Sequence, residues 1–212
     1  MNKALDIIAQ ALSYILYPLF VPTYGVALFC YSYHQHVISL TTACVSVAII
    51  GTFVFTCLIP MTAIWILTRI GKVKNMQIED AAERTTPYLY TTLAFAFWLY
   101  FLVRILHAPT YICWIATGAT LAIGLVAIIN LRWKISAHLT AFGGLFGGLM
   151  TYCLGISGFP TWGTLVLWIS ISFVLMCARL HLKAHTPAQV CAGWLLGITC
   201  TFLPYCIFQY VG

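Results

Sequence analysis

The sequence predicts an all-α protein, a polytopic membrane helix bundle of about seven transmembrane helices. Three observations predict it. Of the 212 residues, 62% are hydrophobic and only 7% are charged, against about 25% charged in soluble domains, and the mean hydropathy is +0.98. The apolar stretches are continuous rather than alternating, which excludes a transmembrane β-barrel. The polar segments between them are short, and a backbone inside lipid must satisfy its own hydrogen bonds, so the spans are helices. No linker is long enough to separate domains, so residues 1–212 read as a single integral membrane domain.

The expected spans follow in order. The first lies near 7–32, with Pro18 and Pro22 as kinks, because proline removes a helical donor. Asp6 and the unbroken apolar run beyond it do not fit a cleavable signal segment. The second lies near 37–69 and holds Pro60. The third runs near 86–106, the fourth near 110–131 and the fifth near 137–156. In the fifth, "FGGLFGGLM" repeats glycine every four residues, Gly143 with Gly147 and Gly144 with Gly148. Such a ridge lets a neighbouring helix approach closely. The sixth span lies near 161–178 and the seventh near 187–210.

Charge sets topology and partners. Ten Lys and Arg against four Asp and Glu give +6, spread over short loops with no long basic run, which argues against nucleic acid. Membrane lipids and anionic headgroups or phosphates are the natural partners. With seven spans, Lys3, Arg69, Lys72, Lys74, Arg84, Arg132, Lys134, Arg179 and Lys183 fall on one side and Arg104 alone on the other. The positive-inside rule assigns the richer side to the cytoplasm. The nine cysteines are scattered through apolar runs without a Cys-x-x-Cys pair, and read as small buried hydrophobes.

The same side gathers three polar stretches, "KVKNMQIEDAAERTTPY", "RWKISAHLT" and "ARLHLKAHTPAQ". Each stands at the start of a span, where free N–H groups and the helix dipole favour an anion. Pro87 and Pro187 suit a first helical turn. Together these starts can build a phosphate pocket at the membrane face. Each polar residue also has a simpler reading. Arg84 follows Asp80 by four and can form an exposed ion pair. "TPAQ" is a capping box in which the Gln189 amide bonds back to Thr186.

These stretches resemble the type 2 phosphatidic acid phosphatase superfamily, which includes membrane lipid phosphatases and vanadium haloperoxidases. Its third motif, Ser-Arg-x5-His-x3-Asp, is matched by Ala178-Arg179, His185 and Gln189. Its second, Pro-Ser-Gly-His, is matched by Ile135-Ser136-Ala137-His138. For its first, Lys-x6-Arg-Pro, Arg84 takes the arginine place, with Gln77 and Thr85 where lysine and proline are expected. "CAGWLLG" fits the family's last helix, and the resemblance covers roughly residues 72–200.

The resemblance implies a phosphatidic-acid-phosphatase-like core and hydrolysis of a lipid-linked phosphate monoester or pyrophosphate. His185 would be the nucleophile and His138 the acid for the leaving oxygen. Arg84, Arg179 and Ser136 would hold phosphate oxygens, and Gln189 would stand in for the aspartate that orients His185. Neutral imidazole and the arginine fork suit this chemistry. No metal or other cofactor is required by it. The implied partner is a lipid phosphate, the implied setting a bacterial inner membrane. Charge puts the active face in the cytoplasm, whereas many bacterial members of the family work at the outer face. A relative that binds or translocates lipid phosphates without turnover is the alternative.

Overall fold

A computed structural model of the chain describes residues 3–36, 42–76, 78, 80, 82–155 and 162–211. All regular structure among them is helical: α1 (Lys3–Ile15), α2 (Val21–His36), α3 (Thr42–Phe53), α4 (Ile59–Arg69), α5 (Thr85–Arg104), α6 (Thr110–Asn130), α7 (Ala137–Gly155), α8 (Trp162–His181) and α9 (Pro187–Val211). Among the described residues five stretches are long and apolar enough to cross a membrane: Val45–Arg69, Thr85–Arg104, Thr110–Asn130, Trp162–His181 and Pro187–Ile207. Five such helices are compatible with an integral membrane protein.

The expected kinked span over 7–32 is instead two helices, α1 and α2. Pro18 cannot donate to the preceding turn and biases Tyr17 away from helical backbone. A tight turn replaces the helix, with the Phe20 N–H donating to the Tyr17 carbonyl at 3.0 Å. Pro60 is handled differently. α3 and α4 form one rod joined by a π-helical turn over Val54–Leu58, where the Ile59 N–H donates five residues back to Val54. The widened turn makes room for the proline ring, which would otherwise meet the carbonyl of Thr56.

α7 is the centre of the bundle. It packs on α2, α6, α8 and α9, and Leu139, Leu149 and Tyr152 are wholly buried. The glycine ridge serves the contact with α9. A Cβ on Gly143 would strike the Trp194 carbonyl, and one on Gly147 would strike Thr201. α9 answers with its own pair, Gly193 and Gly197, set against Ser136, Thr140 and the α7 backbone. Gly148 faces the other way, toward Ile115 of α6 and Phe29 of α2.

This close packing aligns the N-terminal ends of α7 and α9. The Ser136 N–H donates to the Gln189 carbonyl at 3.3 Å, tying the two helix starts together. Of the eight described cysteines, Cys30, Cys57 and Cys200 are buried, while Cys177 and Cys191 are exposed. The expectation of buried hydrophobes therefore holds for only part of the set, since a thiol is also tolerated on an apolar outer surface.

Candidate functional site

The site is assembled from turns that precede three helices. His185 lies in the turn between α8 and α9, and is buried. Thr186 and Gln189 form the capping box of α9: the Gln189 N–H meets Thr186 Oγ1 at 3.4 Å, and the Thr186 N–H donates to Gln189 Oε1 at 3.1 Å. That same Oε1 lies 3.2 Å from Nδ1 of His185. The two readings of Gln189 are therefore both satisfied by one oxygen. An amide oxygen only accepts, so Nδ1 carries the imidazole proton and Nε2 keeps a lone pair.

His138 has the opposite tautomer. Its Nε2 lies 3.2 Å from the Ser13 carbonyl, another pure acceptor, so Nε2 carries the proton. The Tyr17 ring stands edge-on to it at 5.8 Å between centroids. Arg179, near the end of α8, donates from Nη1 to Ser13 Oγ at 3.2 Å. Arg84 is buried at the start of α5, and its Nε donates to the Ile78 carbonyl at 2.7 Å. The expected alternative partner, Asp80, lies instead 3.7 Å from Lys74, which also reaches Glu83 at 3.5 Å. Lys74 is thus engaged at the surface, away from the arginines. Gln77 lies outside the described residues.

Arg84, His138, Arg179 and His185 line one end of a single cavity of about 550 Å³. Its walls are apolar, with Phe29, Phe95, Trp98 and Ile115 among them, and its far end reaches Leu106 and Ile112. It follows α5 from Arg84 to Leu106, about 30 Å at 1.5 Å per residue. On its other side, His185 also lines a shallow surface depression with Lys183, Thr186 and Gln189. The imidazole therefore stands between an apolar interior and the surface.

Burial holds the His185 imidazole well below its ordinary range, at about 4, with Arg84 and Arg179 adding to the effect and the Gln189 hydrogen bond opposing it. Two guanidinium groups beside a neutral ring are a field made for an anion.

Ser136 is expected from the resemblance to help hold phosphate oxygens. It is fully buried and its hydroxyl accepts from the Leu139 N–H at 3.4 Å, so it caps α7 rather than lining the cavity. Three residues absent from the sequence reading join the site. Ser13 meets both Arg179 and His138, Tyr17 lines the cavity beside His138, and Tyr88 lines it one turn on from Arg84. The i to i+4 spacing of Arg84 and Tyr88 is the one signal the sequence offered for these. Among the described residues no three His, Cys, Asp or Glu side chains converge.

Comparison with known proteins finds no family model, no curated protein and no solved structure that matches this chain.

Proposed function

We propose that this chain is a membrane phosphatase that hydrolyses a lipid-linked phosphate monoester or pyrophosphate through a phosphohistidine intermediate. The observation that carries the reading is one juxtaposition. Two arginines and two imidazoles of opposite tautomer meet at the polar end of a long apolar cavity. A charged headgroup with a hydrocarbon tail fits that division, the guanidinium forks taking phosphate oxygens and the walls taking the chain.

In the proposed reaction the lone pair on His185 Nε2 attacks phosphorus. A P–N bond forms as the P–O bond to the lipid, or to its other phosphate, breaks. His138, protonated on both ring nitrogens once the anionic phosphate stands beside it, passes its Nε2 proton to the departing oxygen and is left neutral. Water then attacks phosphorus, giving a proton to His138, and the P–N bond breaks to release inorganic phosphate. Arg84 and Arg179 balance the charge on the equatorial oxygens throughout. Gln189 keeps the proton on Nδ1, so that Nε2 remains the nucleophile. No step calls on a cofactor.

The reading agrees with the resemblance to the type 2 phosphatidic acid phosphatase superfamily, and the seven spans expected from the apolar runs would add α2 and α7 to the five long apolar helices and leave α1 outside the count. The setting would be a bacterial inner membrane. The cation-rich loops favour a cytoplasmic site, and the resemblance admits an outer one. A second reading, a relative that binds or moves lipid phosphates without turnover, is favoured by Gln189, which orients His185 but brings no negative charge to the ring.

The test is phosphate release by the purified chain from lipid phosphates and isoprenyl phosphates across pH 5–9, beside His185→Ala and Gln189→Asp. Release that His185→Ala abolishes supports the reading, and release that survives it removes His185 as nucleophile. Binding without release, with activity gained in Gln189→Asp, favours the second reading.

A further inference from the structure

We propose that α1 is an in-plane membrane helix forming a lid on this site, and that Ser13 is the group an incoming phosphate displaces from Arg179 and His138. The proposal rests on the phosphate-site reading above and adds to it a means of entry.

Ser13 is 4% exposed and presents two oxygens to the site. Its carbonyl faces His138 Nε2 and its hydroxyl oxygen faces Arg179 Nη1, each at 3.2 Å. The hydroxyl proton is already spent on the Ala9 carbonyl at 2.9 Å. Toward the site Ser13 is therefore acceptor only. A pair of acceptor oxygens bridging a guanidinium and an imidazole N–H is the pattern that two phosphate oxygens would make there. The Nε2 proton the reaction needs is the one now given to Ser13.

The placement of α1 makes the contact releasable. Asp6 Oδ1 lies 2.9 Å from His181 Nε2, and Ser13 meets Arg179. Asp6 and Ser13 are about 10 Å apart along α1, but Arg179 and His181 are only about 3 Å apart along α8. α1 is thus laid across the end of α8, at the mouth of the bundle. Its 13 residues span about 20 Å, too short to cross a bilayer. Its outer face is apolar, with Ile7 66% exposed and Ile15 64% exposed, and it buries only Ala9 and Ser13. Such a face lies in the boundary between headgroups and chains, and α8, on which α1 packs, also exposes apolar side chains at Phe173 and Val174. The Pro18 turn separates α1 from α2, so α1 can swing without unwinding its neighbour.

Two measurements on the full chain in nanodiscs test this. Calorimetric binding of orthovanadate and of dihexanoyl phosphatidic acid is compared in the parent and in Ser13→Ala, which keeps the carbonyl and loses the competing hydroxyl. The expected result is about five-fold tighter binding in the variant, the loss of one competing hydrogen bond. Equal or weaker binding overturns the lid, because Ser13 would then only brace Arg179. Hydrogen exchange of residues 3–15 is followed with and without saturating vanadate. Faster exchange on binding is expected, and unchanged or slower exchange overturns the lid even if Ser13→Ala binds more tightly. Absence of binding by both forms overturns the phosphate-site reading itself, and the lid with it.

Discussion

His185 Nδ1 and the Thr186 N–H converge on one acceptor, Gln189 Oε1, at 3.2 and 3.1 Å. The residue whose side chain caps the start of α9 is thereby the residue that fixes the imidazole tautomer. Replacing Gln189 with Glu keeps the capping-box geometry and adds a charge beside the ring. The His185 titration should move up from about 4, as followed by NMR of labelled histidine. On the proposed reading turnover should rise about tenfold or more, within the roughly 10⁴-fold scale seen when the protease triad loses its carboxylate. Gln189→Ala should lose both roles, with about 1 kcal/mol of helix stability gone with the cap.

Acidification should destabilise the protein through His185. An unfolded imidazole takes up its proton near pH 6.5, but the folded one does so only near about 4. Between those values the unfolded chain binds more protons, so stability falls as pH drops through this window and the His185 contribution is fully present above it. Thermal unfolding from pH 7 to pH 4 should show a steeper loss for the parent than for His185→Gln. Arg84→Gln, which removes one of the cations responsible, should narrow the window from its lower edge.

The α7–α9 seam should tolerate no added methyl. Gly143→Ala sets a Cβ into the Trp194 backbone and Gly197→Ala into that of Thr140. Neither neighbour can rotate away, so each should cost about 1–3 kcal/mol, read as a lowered melting temperature. Gly124→Ala, whose nearest neighbour would be a Thr92 methyl at 3.5 Å, should leave stability close to the parent.

The cavity wall should set chain length. Ala119 lines it between the polar end and the far end, so Ala119→Phe should obstruct a long tail and spare a short one. The expected outcome is a KM raised several-fold for a long-chain lipid phosphate and unchanged for a six-carbon analogue. Equal effects on both would contradict a tail in this cavity.

Much of the site was readable because its residues are local. Thr186 to Gln189 is a four-residue pattern, and the glycine ridge has a helical period, so each announces its geometry within a turn or two. Ser13 announces nothing. Its partners His138 and Arg179 lie 125 and 166 residues along the chain, and only the folded arrangement of α1 across α8 brings them together. Ser136 is ambiguous for the opposite reason: a serine before a helix fits an N-cap as well as a phosphate contact, and the hydrogen bond from the Leu139 N–H to its hydroxyl is the cap. The break after α1 and the π-helical turn before Pro60 are two answers to the same residue type, separated by packing that the sequence does not display.

The interlocked glycines of α7 and α9 have a mechanical corollary. His138 and His185 are mounted on the starts of two helices that share one seam, whereas Arg84 and Arg179 ride on α5 and α8. The gap between the two imidazoles is thus set by that one seam, and the field they feel by helices outside it. On the proposed reading, the pair that would handle the proton is held in one alignment while the grip on charge is set from other helices.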